Sequence, residues 1–377
     1  MTVYLDNSAT TAVCPEAAEK MMEIMTAGYG NPSSTHHMGR QAKKELESAR
    51  SSVAGAVGCA PEEIYFTSGG TEADNIAIFG ACQRQRHFGN HIITTAYEHD
   101  AVIKPFEYLK DQGWDVTFIR PGKDGRISVD DFKNALRPDT VFASVMAVNN
   151  EVGAVNDIAA MSRALKEACP DALFHTDAVQ ALGKIDIRPK NTGADLMTVS
   201  AHKIHGPKGV GALYMKTGTK IIPPTKGGDQ EKNIRPGTEG MPAICGFGVA
   251  ADIAKREMET SKAHFKTLRD TLVKEMCQGI DGVVVIGGGA DHILSVSIPG
   301  FRSEVLLNYL DSKGICVSKG SACKRGARSH VLAAMGIDPK VIDGALRISF
   351  SRYNTLEEIH YTAEAFIEAS KKLIRVK

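Results

Sequence analysis

Asp195-Leu196-Met197-Thr198-Val199 runs directly into Ser200-Ala201-His202-Lys203-Ile204-His205-Gly206-Pro207-Lys208-Gly209. The apolar half predicts a buried strand, Leu196 to Ser200, and the polar half places a lysine at the strand's carboxyl end. Burial disfavours an ammonium group and lowers its pKa, which frees the amine to attack an aldehyde. That is the environment a Schiff-base lysine needs. A surface lysine just past a strand end reads equally well from this run alone, so its neighbours decide.

Outward from this run, short apolar stretches alternate with longer amphipathic ones. Strands are expected at Glu63–Thr67, His91–Thr95, Asp115–Ile119, Thr140–Val148, Ala172–Thr176, Leu196–Ser200 and Gly211–Met215. Helices are expected at Glu72–Gln85, Ala101–Gln112, Val129–Leu136 and Ile158–Cys169. This alternation predicts an α/β fold: a large, mostly parallel seven-stranded sheet covered on both faces. The loop Pro223-Pro224-Thr225-Lys226-Gly227-Gly228 closes it. Beyond residue 255 the texture changes. One long helix, Ala251–Gln278, is followed by strands at Val283–Ile286, Ile293–Ile298, Ile315–Val317 and Leu346–Phe350, and by helices at Ser303–Lys313 and from Leu356. That predicts a smaller α+β domain. The expected division is a large domain over 13–255 and a small one from 1–12 and 256–377.

The 377 residues exceed what one core usually serves. Hydrophobic content of 43% and charged content of 24% are ordinary for a globular protein. A net charge of +1 without a basic block or acidic tail gives no sign of nucleic acid or a membrane surface as partner. The N-terminus lacks the pattern of a secretory signal, and no stretch is long enough to span a bilayer. The 8 cysteines are scattered without CxxC pairing, so neither a zinc site nor a disulfide framework is expected. A cytoplasmic location fits.

The strand ends carry the chemistry, because ligands of open α/β sheets bind beyond the carboxyl ends of the strands. The first strand leads into Ser68-Gly69-Gly70-Thr71-Glu72, a glycine turn at a helix N-terminus that can cradle a phosphate. Ordinary helix capping explains this turn as well. The next ends in Tyr97-Glu98-His99, where an imidazole could stack on a flat ring or move protons. Another ends in Asn149-Asn150-Glu151, whose amides can donate to a ring oxygen or a carboxylate, or simply build a turn. Then come Asp177 and Gln180, an aspartate that needs a cationic partner if buried, and finally Lys203. A phosphate cradle, a flat stacking partner, a carboxylate for a ring nitrogen and a buried lysine together meet the needs of pyridoxal phosphate.

The chain resembles the NifS/IscS-like cysteine desulfurases over essentially its whole length. The runs that carry the resemblance include Tyr4-Leu5-Asp6-Asn7-Ser8-Ala9-Thr10-Thr11, Asn31-Pro32-Ser33-Ser34-Thr35-His36, Thr67 to Asn75, Val148 to Gly153, His175 to Gln180, Ser200 to Gly209, Arg235-Pro236-Gly237-Thr238-Glu239, Gly320-Ser321-Ala322-Cys323 and Ala345 to Ser349. The resemblance implies the pyridoxal-phosphate-dependent transferase fold of type I, with the cofactor on the large domain and a catalytic-cysteine loop on the small one. It implies that Lys203 condenses with the cofactor aldehyde, and that His99 stacks on the ring and shuttles protons. Asp177 would pair with the ring nitrogen and Gln180 with the phenolic oxygen. Thr71, Ser200 and His202, helped by Gly70, would hold the phosphate. Thr238 would reach the phosphate of a neighbouring subunit, which implies a homodimer. Arg347 would grip the substrate carboxylate as a bidentate fork, and Asn150 would assist near the ring oxygen and the substrate.

Cys323 is the expected nucleophile. Lys324, Arg325 and Arg328 lie within five residues of it and would lower a thiol pKa. Cys316, in an apolar strand, reads instead as a small buried hydrophobe. The implied reaction converts L-cysteine to L-alanine and leaves a persulfide on Cys323, to be passed to an acceptor protein or small thiol in iron–sulfur cluster or other sulfur-cofactor synthesis. No resident metal is expected, though Cys323 could ligate a cluster in transit. Lys319 and Gly240 stand where serine and asparagine are common in the family, and the basic segment after Cys323 is short. A selenocysteine lyase, or another lyase or aminotransferase of the same fold, would share most of these residues.

Overall fold

The computed structural model of the protein describes residues 2–320 and 328–375. In chain order the strands are β1 (Val3–Tyr4), β2 (Ile64–Thr67), β3 (His91–Thr95), β4 (Asp115–Ile119), β5 (Thr140–Ser144), β6 (Leu173–Asp177), β7 (Leu196–Ser200), β8 (Gly211–Met215), β9 (Val284–Ile286), β10 (Ile293–Ser297), β11 (Ile315–Cys316) and β12 (Ala345–Ser349). Seven of them form one sheet in the order β2-β8-β7-β6-β5-β3-β4. All its neighbouring strands are parallel except at β8, which runs against both β2 and β7. Strands β5, β6 and β7 are buried along their whole length. That is why they read as continuous apolar runs rather than alternating ones. The consequence for function is directional: β2, β3, β5, β6 and β7 all deliver their carboxyl ends to the same edge.

Helices cover the sheet. The helix Gly70–Gln85 follows β2, and Asp100–Asp111 links β3 to β4. Asp157 caps Ile158–Ala168 by accepting from the Ala160 N–H at 2.9 Å, so its first turn has a partner for an otherwise orphan donor. Two helices, Pro15–Thr26 and His37–Val57, lie outside the strand–helix alternation and pack on Met241–Arg256. The expected single helix over 251–278 is two, Met241–Arg256 and Met258–Gly279, separated at Glu257 (φ −101°, ψ 7°). The break lets the first bury Phe247 and Ala250 in the large core while the second buries Leu268, Leu272 and Met276 in another. The expected strand over 140–148 stops at Ser144. Beyond it Asn156 takes the Met146 carbonyl, and Val148 bridges only Val155.

A three-stranded antiparallel sheet, β12-β10-β9, carries Arg347. The parallel pair β1–β11 adjoins it, and Asp6 bridges Ser349. Through these contacts the N-terminal residues lie against both the second core and the edge of the large sheet.

One buried ion pair fixes an unusual backbone. Glu231, Lys232 and Asn233 all take left-handed conformations (φ 46°, 54° and 65°), which are costly for residues with side chains. Both oxygens of the Glu231 carboxylate are 2.7 Å from Arg50 guanidinium nitrogens, and one also accepts from the Phe66 N–H at 2.8 Å. Glu231→Ala would leave the buried Arg50 with only the exposed Glu47 carboxylate, 3.3 Å from its Nε. The expected cost is about 3–5 kcal/mol in chemical denaturation, and a loss below ~1 kcal/mol would show that the pair does not hold this segment.

Candidate active site

At the sheet's carboxyl edge lies a cavity of about 380 Å³, within the range of small-molecule sites. Gly70, Thr71, His99, Asn150, Asp177, Gln180, Ser200, His202, Lys203 and Arg347 all line it. Thr238 does not. Within the single chain it lines a separate cleft of about 150 Å³ with Ser68, Gly209 and Arg235. Cys323 lies outside the described residues.

Lys203 emerges one short helical turn after β7. Its amine donates to the carbonyls of Ser8 at 2.6 Å and Ala9 at 2.7 Å. Burial, with the Arg347 charge adding to it, brings the pKa down to about 8. The amine is therefore available near neutral pH, as a nucleophilic lysine requires.

Asp177 ends β6 and is buried, lining the cavity wall. Burial raises its carboxyl above the usual range, while the Val179 N–H at 2.9 Å, His99 and Lys203 pull it back. Two more buried acids stand near it. Asp74 is raised well above its ordinary value by burial and by Asp177, and one of its oxygens has no hydrogen-bond partner. Glu98 is pushed up to about 8 by burial, with one oxygen accepting from Thr95 and the Met146 N–H and the other unpartnered. The nearby His175 offers no positive charge, since burial drives it down to about 3. It is tied instead to Ser144 at 2.8 Å and Thr198 at 3.1 Å. A protonated ring nitrogen beside Asp177 would supply the cation this region lacks.

The cradle after β2 is open for a close-fitting anion. A Cβ on Gly70 would meet Val179 at 3.0 Å, and one on Gly211 would fall 2.8 Å from Gly69 backbone, so both positions are confined to glycine by close approach. The Ser200 hydroxyl is buried without a partner, at the foot of the N-terminal turn of Gly70–Gln85. First-turn N–H groups and an orphan hydroxyl are what a phosphate takes up. Burial lowers His202 to about 4, and its Nδ1 meets Thr10 at 3.2 Å. His99 caps Asp100–Asp111 through Nδ1, which accepts from the Ala101 N–H at 3.1 Å, leaving Nε2 for the cavity. Gln180 donates to the Ser8 carbonyl at 2.9 Å, and its own carbonyl oxygen has no partner. These residues fit pyridoxal phosphate at its aldehyde, ring nitrogen and phosphate.

Arg347 reaches in from β12 with 4% of its side chain exposed. Its Nη2 donates to Asp6 at 2.7 Å, and its Nη1 donates to the Asn150 carbonyl at 3.0 Å. Asn149, by contrast, is spent on the turn, accepting from the Glu151 and Val152 N–H groups. Asp6, Ser8, Ala9, Asp74, Glu151 and His330 are parts of the site's surroundings that sequence reasoning did not single out. The Ser8 and Ala9 contributions are backbone carbonyls, which no residue identity announces. Asp74 and Glu151 lie in the runs Thr67–Asn75 and Val148–Gly153, and their burial is a property that the runs do not announce. Cys316 is half-buried, and burial raises its thiol.

The aminotransferase class-V family profile matches residues 3–361. The chain is 40% identical to a cysteine desulfurase IscS of Dictyoglomus turgidum over 98% of its length and 95% of the relative's. It is 42% identical to a cysteine desulfurase IscS of Methanosarcina thermophila, over 98% of the chain and 92% of the relative. A solved NifS-like protein superposes with a TM-score of 0.94 at 37% identity, covering 99% of this chain and all of that one (100%). A second structure, SspA in complex with cysteine, superposes at 0.82 with 31% identity, over 94% of this chain and 100% of that one.

Only a neutral amine is acylated. Acetylation of Lys203 by acetic anhydride, in protein freed of any cofactor, is expected to rise with pH and reach half its maximum at about 8. A midpoint near the ordinary lysine value of 10.5 would mean that the cavity does not perturb this amine.

Proposed function

This chain belongs to the aminotransferase class-V family and is a cysteine desulfurase, and we propose that it works with pyridoxal 5′-phosphate bound through Lys203 and delivers sulfur to Cys323. The observation that carries this reading is the depressed Lys203 amine, at about 8, in one cavity with Asp177, His99 and Arg347.

When bound, the cofactor supplies an electron sink for the charge that develops at the substrate Cα. The chain supplies the rest. Arg347 takes the α-carboxylate of L-cysteine, and Asn150 assists beside it. The Lys203 amine, once released, takes the Cα proton and later returns it, a role suited to a base with a pKa near working pH. His99 relays protons through Nε2. Asp177 keeps the ring nitrogen protonated, Gln180 faces the phenolic oxygen, and Gly70, Thr71, Ser200 and His202 hold the phosphate. Cys323, as thiolate, attacks the substrate sulfur: an S–S bond forms, the C–S bond breaks with its electron pair left on Cβ, a proton relayed by Lys203 or His99 is taken up there, and the carbon skeleton leaves as L-alanine. The persulfide then passes to an acceptor protein or small thiol, with iron–sulfur cluster synthesis the destination that the IscS relatives support. The homodimer belongs to the same reading, with Thr238 of one subunit completing the phosphate site of the other. Among the described residues no helix is long and apolar enough to cross a membrane.

Incubation with L-cysteine and a reductant should release sulfide and alanine in equal amounts. Cys323→Ser should lower both by roughly a thousandfold while retaining the absorbance change that follows L-cysteine binding. Sulfide release that survives the substitution would remove Cys323 as the acceptor.

A further inference from the structure

Asp6 occupies Arg347. Its carboxylate is 2.7 Å from Nη2, the Asn150 carbonyl takes Nη1, and the buried Nε has no partner. Both terminal nitrogens of the guanidinium therefore already have acceptors in the substrate-free chain. We infer that Asp6 is an internal competitor for the substrate carboxylate at Arg347, an inference that rests on reading Arg347 as the carboxylate seat.

A buried guanidinium left without a counter-ion is costly, so an acid is needed there while the site is empty. Asp6 can yield that place. Its backbone is fixed, because its carbonyl accepts from the Tyr4 hydroxyl at 3.2 Å and the Ala9 N–H at 3.0 Å. Its side chain is 23% exposed, against 4% for Arg347, so it can turn toward water without moving the chain that holds Lys203. An incoming α-carboxylate must share Arg347 with this charge or displace it, and either way its affinity is reduced. The reduction serves turnover. L-Alanine keeps the amine and carboxylate of L-cysteine, so whatever grips the substrate through those groups also retains the product.

The test uses the cofactor-loaded enzyme and two probes that cannot complete the reaction. 3-Mercaptopropionate carries the thiol and carboxylate without the amine. Cysteamine carries the thiol and amine without the carboxylate. By calorimetry, Asp6→Asn, which keeps an acceptor for Nη2 but removes the charge, should bind 3-mercaptopropionate about 3- to 5-fold more tightly. Cysteamine affinity should be unchanged, and KM for L-cysteine should fall by a similar factor. Asp6→Ser repeats the measurement should the amide variant fail to fold. Unchanged or weaker 3-mercaptopropionate binding, or an equal gain for cysteamine, overturns the inference. Arg347→Lys separates the two readings. If it weakens 3-mercaptopropionate while Asp6→Asn does nothing, only the role of Asp6 falls. If it leaves that affinity intact, the carboxylate seat itself is misassigned and the inference falls with it.

Discussion

The site depends on a half-buried amine held by two peptide carbonyls. Lys203 has no carboxylate among its hydrogen-bond partners. It has the Ser8 and Ala9 oxygens, and the Arg347 charge nearby. Carbonyls orient an amine without stabilising its charged form as a carboxylate would. Burial therefore wins, and the amine's pKa falls to about 8. The same Ser8 carbonyl accepts from Gln180, and Thr10 and Thr11 bond to His202. The strand Leu196–Ser200 supplies the lysine, and the N-terminal segment sets its position.

Around that amine the charges are arranged sparingly. Asp74, Glu98 and Asp177 are three buried acids near a histidine that burial keeps uncharged. Burial disfavours ionising all three, and Asp177 is the one that the charges of His99 and Lys203 pull back toward ionisation. A positively charged ring nitrogen is the natural complement of such an array. Arg347 is paired with Asp6, so the cavity holds one guanidinium beside one amine of lowered pKa.

Much of this was legible in the sequence because the sheet is buried on both faces. Runs such as His91–Thr95, Leu196–Ser200 and Gly211–Met215 are continuous, short and abruptly ended, and the strands occupy those residues. Gly70, His99, Asp177 and Lys203 line one cavity because a parallel sheet brings its strand ends together whatever the loops do. Other features were hidden for definite reasons. The break at Glu257 has no proline or glycine to mark it, because the chain turns there only to serve two different cores. The Ser8 and Ala9 carbonyls belong to the backbone. The Asp6–Arg347 pair spans 341 residues of sequence and leaves no periodic trace.

The proposed function requires that the amine at 203 be the one that condenses with pyridoxal phosphate. Borohydride reduction of the loaded protein, followed by proteolysis and mass spectrometry, tests it most directly. A single phosphopyridoxyl adduct is expected, on the peptide containing Lys203, and its loss in Lys203→Ala. An adduct on another lysine (Lys184, also buried, with its pKa brought down to about 7, is the nearest rival) or no adduct at all would contradict it.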